Sequence, residues 1–354
     1  MAATPPIAPI PWVPLLLRLL LPLAGAVLAA WALDWSCRRK GLQPPGFRRP
    51  WRRGAGSILV VAILWIAIFR PLGEVGLELK LDLSHVSTAQ LFLLHALMAI
   101  AVLGWFALGF AGLPPPGRPA AVLEADWPPP EAAPSLETAP ETAPPDILAI
   151  SSAAALPPPP RPPGAGRQLA AQLGLVAASI PREVSIGLLA GILAWGAVLA
   201  ALLAVAFVVW AVGGDSALPK PSAIVPWIAA LPLLVRFLVS LSAGVVEETF
   251  FRGFLQPRIG IVASTAFFVL AHVSYGQPLM LVGITLLSLI FAFLVRWRQT
   301  IWPAIAAHAL FDGIQLLVVI PLALRMLGQS AAAKAAVAAA WLVLRQATRS
   351  AAGL

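Results

Sequence analysis

Apolar positions along the chain come in long unbroken runs, without the one-faced or alternating patterns of a soluble fold. The runs lie near 12–34, 56–72, 89–113, 185–212, 232–255, 260–275, 279–296 and 302–325. About 20 apolar residues in a helix cross the roughly 30 Å of hydrocarbon in a bilayer. None of the runs shows the dyad alternation of a barrel strand, and a backbone inside lipid must satisfy its polar groups within its own segment. The pattern predicts an all-α protein, a polytopic transmembrane helix bundle of about eight spans. The second run is short, and a few residues separate the sixth from the seventh, so the count carries a margin of one.

Between the third and fourth runs the material changes. Residues 114–166 hold 17 of the 36 prolines, six acidic residues and the near-repeat Glu137-Thr138-Ala139-Pro140, Glu141-Thr142-Ala143-Pro144. Such a segment buries too little apolar area to offset its chain entropy. The expected organisation is a three-span membrane region over 1–113, a flexible Pro-rich cytoplasmic linker over 114–184, a second membrane module over 185–330 and an Ala-rich tail over 331–354. The first three spans are expected to carry no chemistry of their own.

Composition narrows the class. Apolar residues make up 60% of the 354 and charged residues only 11%, which leaves little room for an ordinary soluble enzyme. A single cysteine, Cys37, excludes a disulfide framework and any multi-cysteine metal site. The net charge of +9 does not predict nucleic acid as a partner, because seven of the 24 basic residues cluster between the first two runs, from Arg38 to Arg53. That is how a polytopic protein marks its cytoplasmic side, so the expected partners are membrane lipids. Residues 1–17 contain no Lys or Arg, and the cluster follows the first run, so an uncleaved span with its amino terminus outside is expected. Alternation then places 35–55, 114–184, Arg252, Arg258, Arg296 and Arg298 inside, and it leaves the side of the carboxyl terminus open, since Arg325 and Lys334 fall outside. The Ala-, Pro- and Arg-rich composition suits a bacterial inner membrane.

Ionisable residues inside apolar spans cost about 2.5–3.5 kcal/mol each on insertion scales. The second module nevertheless holds Glu247, Glu248 and Arg252 in one run, His272 in the next, roughly midway along it, and His308 with Asp312 in the last. Glu248 and Arg252 are four apart and meet on one helix face. Glu247 is turned about 100° away and is left to face the bundle interior. His308 and Asp312 are also four apart, so the carboxylate can orient the imidazole. Gly187 and Gly191 form a small-xxx-small pair, expected to pack closely inside the bundle.

The three motifs, Glu247-Glu248-x-x-x-Arg252, Phe268-x-x-x-His272 and His308-x-x-x-Asp312, taken in this order, resemble the CAAX-protease and bacteriocin-processing (CPBP) family of intramembrane proteases. The resemblance covers roughly residues 185–325. It implies an endopeptidase acting on a peptide or membrane-anchored protein substrate, with Glu247 as the base that activates water and Glu248 and Arg252 supporting it. His272 would help hold the water, and His308 and Asp312 would stabilise the oxyanion, all in one cavity open to the cytoplasmic half. An ionised aspartate donates no hydrogen bond, so Asp312 is expected to act by orienting His308. No cofactor is expected. The alternative is zinc held by Glu247, His272, His308 and Asp312, although the His-Glu-x-x-His zinc helix is absent. A rival class is a non-proteolytic protein of the same fold, in bacteriocin immunity, scaffolding or proton-linked transport.

Overall fold

The computed structural model describes residues 12–73, 87–111, 165–218, 224–273, 277–326 and 328. Among these the secondary structure is helical throughout, and seven helices are long and apolar enough to cross a membrane. The tail 331–354 and the prolines of 114–164 lie outside the described residues.

Helix α1 (Trp12–Arg39) and α2 (Pro50–Leu64, continued to Gly73 through a π turn at Trp65–Phe69) enclose the basic loop. Helix α3 (Thr88–Phe110) begins in a capping box, in which the Ser87 hydroxyl accepts from the Gln90 N–H and the Gln90 side chain accepts from the Ser87 N–H. A short α4 (Ala165–Gln172) precedes α5 (Ile180–Gly213), α6 (Ile224–Ala230) and α7 (Leu233–Glu248). Helices α8 (Gln256–Ala271), α9 (Pro278–Arg298) and α10 (Trp302–Gly313) complete the bundle.

The difference between about eight predicted runs and seven helices lies in Leu233–Ala271, which counts as one span by length and composition. It is two arms. Gly260 takes φ 87° and ψ 170°, outside the helical region and open to glycine without strain. The chain reverses there, so that the Ser264 hydroxyl donates to the Phe251 carbonyl at 2.7 Å and the Phe251 and Phe268 rings lie 5.0 Å apart. On a straight helix, 17 residues would separate those rings by about 25 Å.

The polarity of the molecule is inverted. Large apolar side chains face outward along α1, α5 and α7, whereas Glu248, Arg252, Arg258 and His308 are buried. In water this would be unstable; in lipid it is the arrangement that shelters these four side chains. The loops predicted inside also meet on one face. Lys40 donates to the Arg258 carbonyl at 2.9 Å, Arg298 holds Glu183 through two bonds of 2.9 and 2.6 Å, and Gly174 accepts from the Thr300 hydroxyl at 2.8 Å.

Those last contacts move a boundary. The linker was expected to run to 184, but from residue 165 the chain is helical or docked, with Leu173 buried and the Trp302 indole donating to the Leu175 carbonyl at 2.8 Å. The proline-rich composition ends at 163, and an apolar Leu-Gly-Leu-Val stretch at 173–176 has somewhere to bury. The Gly187/Gly191 pair packs as expected. A Cβ at Gly187 would stand 2.3 Å from the Pro303 carbonyl oxygen and one at Gly191 2.9 Å from that of Ala307, so α5 lies directly on the backbone of α10.

Candidate active site

Helix α7 delivers both glutamates. It approaches α10 closely at Gly244, where a Cβ would come within 2.8 Å of the Ile305 carbonyl oxygen, and this brings the last turn of α7 against His308. Immediately after Glu248 the backbone passes into a π segment, Thr249–Leu255, while the Thr249 hydroxyl donates back to the Val245 carbonyl at 2.6 Å. Another π segment, Ile314–Val319, follows Asp312 and Gly313. Single π turns inside helices recur at functional sites.

Glu248 is fully buried, and its Oε1 lies 3.0 Å from the Arg252 guanidinium and 2.8 Å from Nδ1 of His308. The pairing with Arg252 was expected from the four-residue spacing; the bond to His308, sixty positions away, was not. Arg252 in turn donates to the Ser288 hydroxyl at 3.1 Å and lies over the Phe268 ring at 4.3 Å from its centroid. Ser288 donates to the Thr265 hydroxyl at 3.2 Å. The guanidinium is thus neutralised by Glu248, bonded to Ser288 and covered by the Phe268 ring.

His308 is also buried, with Nε2 3.5 Å from Oδ2 of Asp312. Its orientation is therefore set first by Glu248 at 2.8 Å and only loosely by Asp312, which reverses the emphasis expected from the four-residue spacing. Asp312 is the more exposed partner, at 27% of its side chain.

Glu247 points elsewhere. Its Oε2 is buried, makes no hydrogen bond among the described residues, and stands 4.0 Å from Nε2 of His272. The other ring nitrogen of His272 donates to the Phe268 carbonyl at 2.7 Å, because a carbonyl can only accept. His272 was expected midway along its span. Instead it caps the end of α8, at φ −102° and ψ 0°, since the helix stops at Ala271.

Oε1 of Glu247 meets a residue that the sequence reading passed over. His95, on α3, brings Nε2 to 3.3 Å from Oε1, and its Nδ1 lies 3.0 Å from the Ser242 hydroxyl. The first three spans were expected to carry no chemistry, yet the third sets an imidazole against Glu247. A lone histidine in Leu93-Leu94-His95-Ala96-Leu97 is itself an ionisable group inside an apolar run, and that cost was the available signal.

The four residues considered as zinc ligands divide into two sets, Glu247 with His272 and His308 with Asp312. Among the described residues no three His, Cys, Asp or Glu side chains are placed to share an ion, so the set does not fit a metal. A cavity of about 670 Å³ opens on the face where the basic loops gather and reaches Arg252. Lys40, Leu173, Gln256, Gly260 and Thr300 also line it, but Glu247, His272, His308 and Asp312 do not, so the single shared cavity expected for them is not this one.

Residues 229–314 match the family model described as type II CAAX prenyl endopeptidase Rce1-like. The chain carries an Rce1-like domain. That domain contains all three motifs and stops short of α1–α3 and α5. The chain is also similar to the uncharacterized protein YpbD of Bacillus subtilis (strain 168), with 28% identity over 91 residues, 25% of this chain and 44% of that protein. The chain thus spans less than half of that relative's length. No solved structure matches at a significant level. The match is confined to 229–314, and the apolar helices make the chain a polytopic integral membrane protein.

Proposed function

We propose that the chain is an intramembrane endopeptidase that hydrolyses a peptide bond in a membrane-associated or carboxyl-terminal-tail substrate, with Glu247 as the base. The observation that carries this reading is the division of labour between adjacent carboxylates. Glu248 holds two charged partners, Arg252 and His308, through Oε1, while Glu247 faces imidazole rings, with Oε1 at 3.3 Å from His95 and Oε2 at 4.0 Å from His272.

A water between Glu247 Oε2 and His272 Nε2 would be oriented by both. Glu247 takes its proton as the water oxygen adds to the scissile carbonyl, and the carbonyl oxygen becomes an oxyanion. Carboxylates face both ring nitrogens of His308, so both nitrogens serve as donors, and Nε2–H is the group that meets the oxyanion. The oxyanion then collapses, the C–N bond breaks, and Glu247 returns the proton to the leaving amine. Low dielectric around the buried ion pair strengthens each of these interactions.

The test compares wild type with Glu247→Gln in lipid, on membrane proteins and peptides of the source cell and on a synthetic prenylated CAAX peptide, the substrate class in the family's name. Mass spectrometry reads the products, with and without a strong chelator. The expected result is a cleavage product formed by wild type, about 10²–10⁴-fold slower in Glu247→Gln and indifferent to chelator. Equal cleavage by both proteins refutes the assignment of the base, and loss on chelation refutes the metal-free mechanism.

A further inference from the structure

His95 lies outside the Rce1-like domain, yet its Nε2 is 3.3 Å from Glu247 Oε1 and its side chain is largely buried, at 12% exposure. Its ring orientation is fixed from the far side. The Ser242 hydroxyl lies 3.0 Å from His95 Nδ1, and when it donates there the ring carries its proton on Nε2, the nitrogen that faces Glu247. Ser242 and Glu247 belong to α7, whereas His95 belongs to α3, so one imidazole ties two helices at the base. The two oxygens of Glu247 are then held differently, Oε1 against His95 and Oε2 toward His272. Without His95 the carboxylate is free to rotate about its last torsion, which is broad and roughly two-fold.

We infer that His95 is a positioning residue for Glu247, so that the third span of the amino-terminal region completes a site whose motifs all lie in the carboxyl-terminal module. The inference rests on the reading of Glu247 as the base. His95 holds the carboxylate by a hydrogen bond to Oε1 and leaves Oε2 directed at the attacking water. A glutamine at 95 can reach Oε1 with an N–H donor; a leucine of similar size cannot.

Four proteins are compared, all full-length in lipid: wild type, His95→Leu, His95→Gln and Glu247→Gln. Product formation is followed on a synthetic peptide spanning the site that wild type cleaves, and detergent unfolding is recorded in parallel. The expected pattern is a loss of about 10²–10⁴-fold in Glu247→Gln and a fall in kcat of about tenfold to hundredfold in His95→Leu with KM little changed. His95→Gln should recover to within about threefold of wild type. Loss in Glu247→Gln with wild-type kcat in His95→Leu overturns the inference and leaves the protease reading standing. Equal loss in His95→Leu and His95→Gln overturns it too, since the residue would then be serving the fold. Unimpaired cleavage in Glu247→Gln sinks the reading of the base itself, by a result that no His95 variant enters. Histidine ¹⁵N spectra give a readout that needs no substrate. The His95 signal, assigned by its loss in His95→Gln, should move in Glu247→Gln; an unmoved signal overturns the contact.

Discussion

Replacing Glu248 with glutamine keeps the shape of the side chain and removes its charge from the most enclosed point of the bundle. The carboxylate is fully buried and serves two partners through one oxygen, Arg252 at 3.0 Å and His308 at 2.8 Å. Breaking a buried ion pair by neutralising one member costs about 3–5 kcal/mol, because the other charge is left uncompensated. Arg252 would keep its bond to Ser288 at 3.1 Å and its place over the Phe268 ring, which argues for the lower end, about 3 kcal/mol. The assay is reversible unfolding in mixed micelles, read by circular dichroism, for Glu248→Gln, Arg252→Met and the double variant. If the cost is an orphaned charge, the double variant should be more stable than the sum of the single losses predicts, by about 2–3 kcal/mol. Cleavage by the folded fraction of Glu248→Gln should also fall, since His308 loses the partner that aims it. Strict additivity in the cycle, or a single variant within about 0.5 kcal/mol of wild type, would refute the account of Glu248 as the charge on which both partners depend.

Asp312→Asn should cleave at close to the wild-type rate and Asp312→Ala about tenfold slower at most, because Glu248 still holds the ring; His308→Ala should lose about 10²–10³-fold, the usual cost of an oxyanion donor. Equal and complete loss at both positions, in an initial-rate assay, would show that Asp312 has a larger part. Gly187→Leu should destabilise the bundle by about 3 kcal/mol or more, since even a Cβ would press within 2.3 Å of the Pro303 carbonyl oxygen, whereas Gly196→Leu, with nothing within 4 Å, should stay within about 0.5 kcal/mol in the same unfolding assay.

What could be read in advance was what the helix repeat brings together. The Glu248–Arg252 and His308–Asp312 pairs are each four residues apart, and the Gly187/Gly191 face follows from the same spacing. The three motifs that lie in the Rce1-like domain were visible as charges that an apolar run has no reason to carry. What escaped was set by tertiary packing. The bonds of Glu248 to His308 and of Glu247 to His95 join residues 60 and 152 positions apart, and no periodicity points across such intervals. The linker boundary was missed for a related reason. Leu173 and Leu175 look like any short apolar stretch until the loop at Thr300–Trp302 supplies something for them to dock on.

The reversal at Gly260 bears on how the chain enters the membrane as it is made. Arg258 finds its aromatic surroundings, Trp105 at 4.8 Å and Phe254 at 4.5 Å, among residues already synthesised. Arg252 has Glu248 beside it from the start, but Ser288 and Phe291 lie in a helix that has yet to emerge, with Ser288 36 residues further along. At about 5–20 residues per second, Arg252 waits roughly 2 to 7 seconds for that shelter. During that interval the Leu233–Ala271 hairpin carries a cation that lipid alone would reject at about 2.5–3.5 kcal/mol. The hairpin is therefore expected to linger in the insertion machinery until Pro278–Arg298 arrives, and the two to enter the bilayer together as one unit of assembly.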